Sequence, residues 1–267
     1  LTCIHALGIG DRESRGMNRF AHPGMVRKVI GGHWVWSPRM QQLARKNKIE
    51  AYVLPGGVIM QLMREVAAKR PGLITHVGMG TFVDPRKEGG RMNEAAQETL
   101  VEQISIDGKE YLRYLPIPID VALLKGSVVD DEGNISLDEE PANLDIYAMA
   151  AAAHNSGGKV IFQVRRKVSK GSLSARSVRI PSAIVDVVVV DPEQRQSYEI
   201  VYDPSISGEQ WNENLELNAP QFSVRLAIAR RAQQELREGA VINFGFGIPD
   251  QVAAMLAAEG TDDRYYQ

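Results

Sequence analysis

Ile49-Glu50-Ala51-Tyr52-Val53-Leu54-Pro55-Gly56-Gly57-Val58-Ile59-Met60-Gln61-Leu62-Met63-Arg64-Glu65-Val66 is the stretch that decides the fold class. Its first six residues form a short strand-like run. After Pro55-Gly56-Gly57, the residues Val58, Ile59, Leu62, Met63 and Val66 recur at the spacing of one helix face, until Arg70-Pro71-Gly72 stops them. That is one strand–turn–helix unit. A second lies further on, where a helical run ending in Ala150 to His154 meets Gly157-Gly158 and then the strand-like Val160 to Val164. The glycines there suit a helix C-terminal cap. Such alternation predicts an α/β fold: an open, mainly parallel sheet with flanking helices. Between the two units, Ile119 to Leu124 and Asn134 to Leu137 flank the turn-forming Asp131-Glu132-Gly133-Asn134, which predicts a hairpin or a short excursion from the sheet.

Outward from these units, Leu1 to Leu7 already reads as a strand, and the first residue is not methionine. From about Glu193 to Gln221 the periodicity fades through Asp203-Pro204, Ser207-Gly208 and Ala219-Pro220. We read residues 1–195 as a first domain, 196–220 as a linker with the boundary near Asn218, and 221–267 as the beginning of a second domain. In the latter, Leu226, Ile228, Ala229, Ala232 and Leu236 sketch a helix face expected to end at Gly239. A strand over Ala240 to Phe244 should follow, then the loop Gly245-Phe246-Gly247-Ile248-Pro249-Asp250. A helix with Pro249 in its first turn and Gly260 at its end should close the unit. Asp262 to Gln267 carries no capped helix or polar tail, so both ends are expected to lie inside larger domains.

The 267 residues are 44% hydrophobic and 24% charged, an ordinary globular balance. With 31 Lys+Arg against 33 Asp+Glu the net charge is −2, so no global field draws the chain to nucleic acid or an anionic membrane. The strongest apolar run, Ile184 to Val190, is broken by Asp186 and closed by Asp191-Pro192, far short of the ~20 residues a membrane span needs. One cysteine, Cys3, allows no internal disulfide; it is expected to be a buried thiol, and a cytoplasmic setting fits. The five histidines lack metal-ligand spacing, so no metal site is expected. G-x-S-x-G is missing, and neither Gly245-Phe246-Gly247 nor Gly8-Ile9-Gly10 completes a dinucleotide fingerprint.

Two loops qualify as candidate ligand sites, because ligands of open α/β sheets collect where strands end and helix N-termini present backbone N–H groups. One carries Gly56 and Gly57; the other carries Gly245 and Gly247. Both also fit plain tight turns. Asp11-Arg12 with Arg15-Gly16, and Asp84-Pro85-Arg86 with Gly89-Gly90, place charge in glycine-bearing loops; an interface or positioning role, solvated loop charges and ion pairs that order those loops are all open.

Taken together, Gly10-Asp11-Arg12-x-x-Arg15-Gly16-x-Asn18, Gly31-Gly32-His33-Trp34, Gly78-x-Gly80-Thr81-Phe82-Val83-Asp84-Pro85-Arg86 and Val178-x-Ile180-Pro181 resemble the propionate and acetate CoA-transferases of family I. The likeness continues through Asn155-Ser156-Gly157-Gly158 and Asn243-Phe244-Gly245-Phe246-Gly247-Ile248-Pro249, and so covers essentially the whole chain. The resemblance implies two related α/β domains, an N-terminal strand and turn before Leu1, and a nucleophilic glutamate a few residues beyond Gln267. No glutamate of this chain stands in that motif, so no catalytic residue is assigned. What it implies chemically is a ping-pong exchange of coenzyme A between an acyl-CoA and a short-chain acid such as acetate or propionate, through a glutamyl thioester and with no metal or redox cofactor. Asn243, Gly245 and Gly247 would line the pocket beside the glutamate, with Gly56 and Gly57 as further substrate-binding positions. At 56 relatives usually carry glutamine, and this departure would leave room for a bulkier acid, a bound water or an altered activity. An acyl-CoA hydrolase on the same scaffold and a non-catalytic pocket or assembly module remain alternatives, and a homo-oligomer or a complementary chain is the expected partner.

Overall fold

The computed structural model describes residues 1–211, 221–245 and 247–265, which divide into two units, Leu1–Gln210 and Trp211–Gln267. In the first, β1 (Thr2–His5), β2 (Lys28–Gly31) and β3 (Glu50–Val53) form a parallel sheet in that order. The middle strand is buried at all four positions, as expected for a strand covered on both faces. On one face, α1 (Pro38–Arg45) packs Met40 against Val29, Met17, Val26 and Ile49, with the half-buried Cys3 beside them. On the other, α2 (Gly56–Ala67) buries Val58, Ile59, Leu62, Met63 and Val66 against Ile30 and Tyr52. Each of those side chains contributes about 2 kcal/mol of transfer free energy. The strand–turn–helix reading of residues 49–66 therefore holds.

Beyond α2, the antiparallel strands β4 (Leu73–Thr75), β5 (Val101–Ile106) and β6 (Lys109–Tyr114) pair in the order β4-β6-β5. The β5–β6 hairpin turns at Asp107-Gly108, both at positive φ (51° and 76°), a turn chemistry that the strand–helix alternation had hidden. A second parallel sheet has β7 (Val121–Lys125), β10 (Lys159–Val164) and β13 (Val187–Val190), with β10 in the middle. Over it lies α3 (Ile146–Asn155), whose Ala148 and Ala152 reach the α2 side while Ala150 and Ala153 reach Val160 and Phe162. Asn155 ties the two helices by donating from Nδ2 to the Ala67 carbonyl at 2.7 Å.

The expected hairpin around Asp131–Asn134 forms, but its strands are β8 (Val128–Asp130) and β9 (Ile135–Ser136), while the 119–124 run instead joins the parallel sheet as β7. Asp130 explains this locally: its carboxylate accepts from the Glu132 and Asn134 backbone N–H groups, both at 2.9 Å, and closes the turn. Two short strands, β11 (Arg166–Val168) and β12 (Val178–Ile180), complete a sheet ordered β11-β8-β9-β12. Residues beyond Asp191 pack within this unit: Gln194 and Gln196 are buried, and Lys125 donates to the Arg195 and Gln196 carbonyls, each at 2.9 Å. The boundary placed near Asn218 lies outside the described residues.

In the second unit, α4 (Val224–Gln233) starts at Ser223, whose hydroxyl accepts from the Leu226 N–H at 3.1 Å, and α5 (Asp250–Glu259) ends on Gly260 at φ 62°. Leu226, Ala229, Val252, Met255 and Leu256 form the core between them. Two expectations fail here. The first helix stops at Gln233 rather than running to Gly239, and Ala240 to Phe244 form no strand among the described residues. A strand needs a ladder of partners; Gly239 donates one backbone bond to Arg264 at 2.8 Å, and Val241 is 86% exposed.

Candidate functional site

The carboxyl ends of β1, β2 and β3 lie side by side at His5, Gly31 and Val53, and the segments leaving them are Ala6-Leu7-Gly8, Gly32-His33-Trp34 and Leu54-Pro55-Gly56. They approach so closely that only glycine fits at two positions. A Cβ on Gly32 would stand 2.2 Å from the Ala6 carbonyl oxygen and 2.8 Å from the Gly56 Cα; one on Gly56 would stand 2.8 Å from the same oxygen. A Cβ on Gly57, in contrast, would meet nothing within 4 Å. Gly56 is thus required by backbone packing, whereas Gly57 opens onto free space.

The α2 N-terminus is accordingly bare. Pro55 is its N-cap and offers no side-chain cap, no acidic residue stands in the first turn, and the Gly56 and Gly57 N–H groups find no acceptor among the described residues. Free N–H groups and the positive end of the helix dipole make this turn able to stabilise an oxyanion or a carboxylate. Beside it, Gly32, His33, Trp34, Arg45 and Met92 border a cleft of about 540 Å³. Asn93, also on its wall, is a structural pin: Nδ2 donates to Ala44 and Ile49 carbonyls, both at 2.8 Å, and Oδ1 accepts from the Ala51 N–H at 3.2 Å.

The charged loops pack around this region. Asp11 accepts backbone N–H groups from Arg15 (2.9 Å), Glu13 (2.9 Å) and Ser14 (2.7 Å), which hold its carboxyl down at about 2. Arg12, at φ 66°, lays its guanidinium 4.3 Å from the Trp36 ring centroid. The fully buried Asn18 donates to the Arg15 and Trp36 carbonyls and accepts from the Arg39 N–H, locking the 10–18 loop to the 34–39 segment. Asp84 is gripped by the Arg86 guanidinium (2.7 and 2.9 Å) and the Gly80 N–H (2.8 Å), so its carboxyl is held far below the usual range. Both acidic loops are therefore ordered by their own ion pairs and turns.

In the second unit, Asn243 and Gly245 are exposed and Gly247 is half-buried, all in the loop that leads to α5. Gly247 takes φ 104°, and its N–H already donates to the Asp250 carboxylate at 3.0 Å. That carboxylate, in the first turn of α5, competes with any anionic ligand for the helix end. Of the two candidate loops, the one at Gly56-Gly57 leaves both glycine N–H groups without an acceptor among the described residues, whereas the Gly247 N–H of the other is engaged. Phe246 lies outside the described residues. Cys3 packs beside α1, where burial pushes its thiol up. Among the described residues no cluster of three or more His, Cys, Asp or Glu side chains could hold a metal, and no helix is long and apolar enough to cross a membrane.

One residue that the sequence reading passed over stands at the centre of the first group. His5, only 5% exposed, turns Nδ1 to the Leu7 carbonyl at 2.7 Å. Scattered histidines carry no spacing signal, so only the fold reveals its position at a strand end.

Comparison with known proteins gives a consistent result. The Coenzyme A transferase family model matches residues 2–191. Over 99% of its length the chain is 42% identical to acetate CoA-transferase YdiF of Escherichia coli (strain K12), and over 97% it is 41% identical to caffeate CoA-transferase of Acetobacterium woodii. It spans about half the length of these curated relatives, 50% of each. A crystal structure of the acyl-CoA transferase YdiF from E. coli O157:H7, a thioester complex with CoA, superposes with a TM-score of 0.92 at 42% identity, covering 99% of this chain and 53% of that one.

Proposed function

Because the chain belongs to the coenzyme A transferase family, we propose that the protein moves coenzyme A between an acyl-CoA and a carboxylic acid of the acetate or propionate type. The observation that supports this reading best is the bare α2 N-terminus at Gly56-Gly57, set among parallel strand ends in a chain whose likeness to CoA-transferases is unbroken along its length.

The chemistry asks for a carboxylate nucleophile and for fixed donors to the oxyanion at each attacked carbonyl. A glutamate attacks the acyl thioester carbonyl and displaces CoA thiolate, leaving a mixed anhydride. The thiolate then attacks the glutamyl carbonyl, releasing the first acid as its carboxylate and leaving a glutamyl–CoA thioester. A second carboxylate reverses both steps. We assign the Gly56 and Gly57 N–H groups to the oxyanion role, and Asn243, Gly245 and Gly247 to the loop beside the nucleophile; no glutamate of this chain is assigned that role. No metal or redox cofactor enters the scheme. A homo-oligomer or a complementary chain as partner, and a cytoplasmic location, belong to the same reading.

The full-length gene product, given propionyl-CoA and no acceptor acid, should gain the mass of one CoA less one water and release one equivalent of propionate. Adding acetate should yield acetyl-CoA. Steady release of free CoA in place of acetyl-CoA would replace transfer with hydrolysis, and neither adduct nor turnover would sink the reading.

A further inference from the structure

His5 sits where the three strand ends meet, and its backbone carbonyl and ring Nδ1 each have a defined partner. Its backbone carbonyl accepts from the Gly32 N–H at 3.0 Å. Its ring Nδ1 lies 2.7 Å from the Leu7 carbonyl oxygen, which can only accept, so Nδ1 carries the proton. The residue between, Ala6, turns its carbonyl oxygen onto Gly32 and Gly56, the contact that excludes a Cβ at either glycine. The Leu7 side chain comes within reach of the same Gly56 position, 3.9 Å from where a Cβ would be. A hydrogen bond made by one buried ring therefore bends β1's exit into a saddle on which the α2 N-terminal turn rests.

The other ring nitrogen is equally informative. Nε2 is buried and has no hydrogen-bond partner, and neither has the indole Nε1 of Trp34. Both flank Gly31: a side chain there would stand 2.8 Å from His5 Nε2 and 2.9 Å from Trp34 Nε1. With the proton on Nδ1, Nε2 is an acceptor and faces an indole donor across space that a Cβ would fill. Burial disfavours the imidazolium, and the Leu7 carbonyl only partly opposes this, so the ring stays neutral more readily than a free histidine.

We propose that His5 is a positioning residue: as the neutral Nδ1–H tautomer it fixes the Leu7 carbonyl, holds the Ala6 carbonyl under Gly32 and Gly56, and thereby aims the Gly56 and Gly57 N–H groups at the reacting carbonyl. The catalytic half of this assignment rests on the transferase reading above; the geometric half does not. His5 touches no reacting atom. It acts through the backbone of the turn, where an error of an ångström in donor placement costs roughly ten- to hundredfold in rate.

Two variants separate donor from volume. His5→Asn keeps an N–H near the Nδ1 position, and His5→Phe keeps a ring without it. In the full-length gene product His5→Phe should lower kcat for CoA transfer roughly ten- to hundredfold while KM for the acyl-CoA moves less than about threefold, and His5→Asn should recover most of the loss. Wild-type kcat in His5→Phe would overturn the proposal. If the wild type transfers no CoA, the transferase reading fails, and His5 is judged on the Gly56 and Gly57 amide resonances. These should shift in His5→Phe and stay in place in His5→Asn; unmoved resonances in the Phe variant overturn it. Should neither variant fold, nitrogen NMR of the unaltered protein at neutral pH decides: a protonated Nδ1 with bare Nε2 is expected, and the opposite tautomer refutes the proposal.

Discussion

Two adjacent glycines, Gly56 and Gly57, look alike in the sequence and differ sharply in what surrounds them. Gly57→Ala adds its methyl to open space in the first turn of a helix and should leave stability unchanged or raise it by up to about 1 kcal/mol. Gly32→Ala drives a Cβ into the Ala6 carbonyl and should cost about 2–3 kcal/mol in a denaturant melt. Gly56→Gln meets the same carbonyl at 2.8 Å, so it should lower the melting temperature as well as shift the preference between acetate and bulkier acids. An unchanged melt would show that the saddle yields easily. Asn243, exposed in its loop, has no structural burden of this kind. Asn243→Ala should therefore slow thioester formation in a burst experiment while leaving the unfolding midpoint within about 0.5 kcal/mol of the parent; a wild-type burst would remove Asn243 from the site.

Helices whose apolar stripes run at regular spacing could be read from the chain, because a single face settles the matter: α2 and α5 lie where the periodicity and the terminal glycine place them. At Gly260, with φ 62°, replacement by alanine should cost about 1 kcal/mol, measurable as a lower melting temperature. Strands fared unevenly. Residues 119–124 and 240–244 have similar apolar content, yet the first gains β10 as a parallel neighbour and the second gains no ladder among the described residues. Pairing is a property of distant sequence, and no local pattern contains it. The same holds for the candidate site. Gly56-Gly57 announces itself by composition, but the roles of His5 and Asn93 depend on which strand ends become neighbours, so neither could be found from spacing.

Across the whole molecule, carboxylates held by donors set the acid limit of stability. The Arg86 guanidinium depresses Asp84, backbone N–H groups depress Asp11 to about 2, and Lys159 depresses Asp186. Each lowered group stabilises the fold fully above its unfolded value near 4, and that stability is lost as pH falls through the folded value. Glu140, raised by burial, runs the other way and favours the fold when protonated. The depressed groups outnumber it, so the melting temperature should fall steadily between about pH 4 and pH 2, and Asp84→Asn should flatten part of that slope in a pH-dependent thermal scan. The half-buried Cys3 turns the same molecule into its own stopwatch. As the sole sulfhydryl in 267 residues, half-buried on β1 and packed beside α1, it should be alkylated faster the more often that strand lifts away. A rise in the rate at which a maleimide tags it thus reports loosening of the strand that carries His5, without any engineered label.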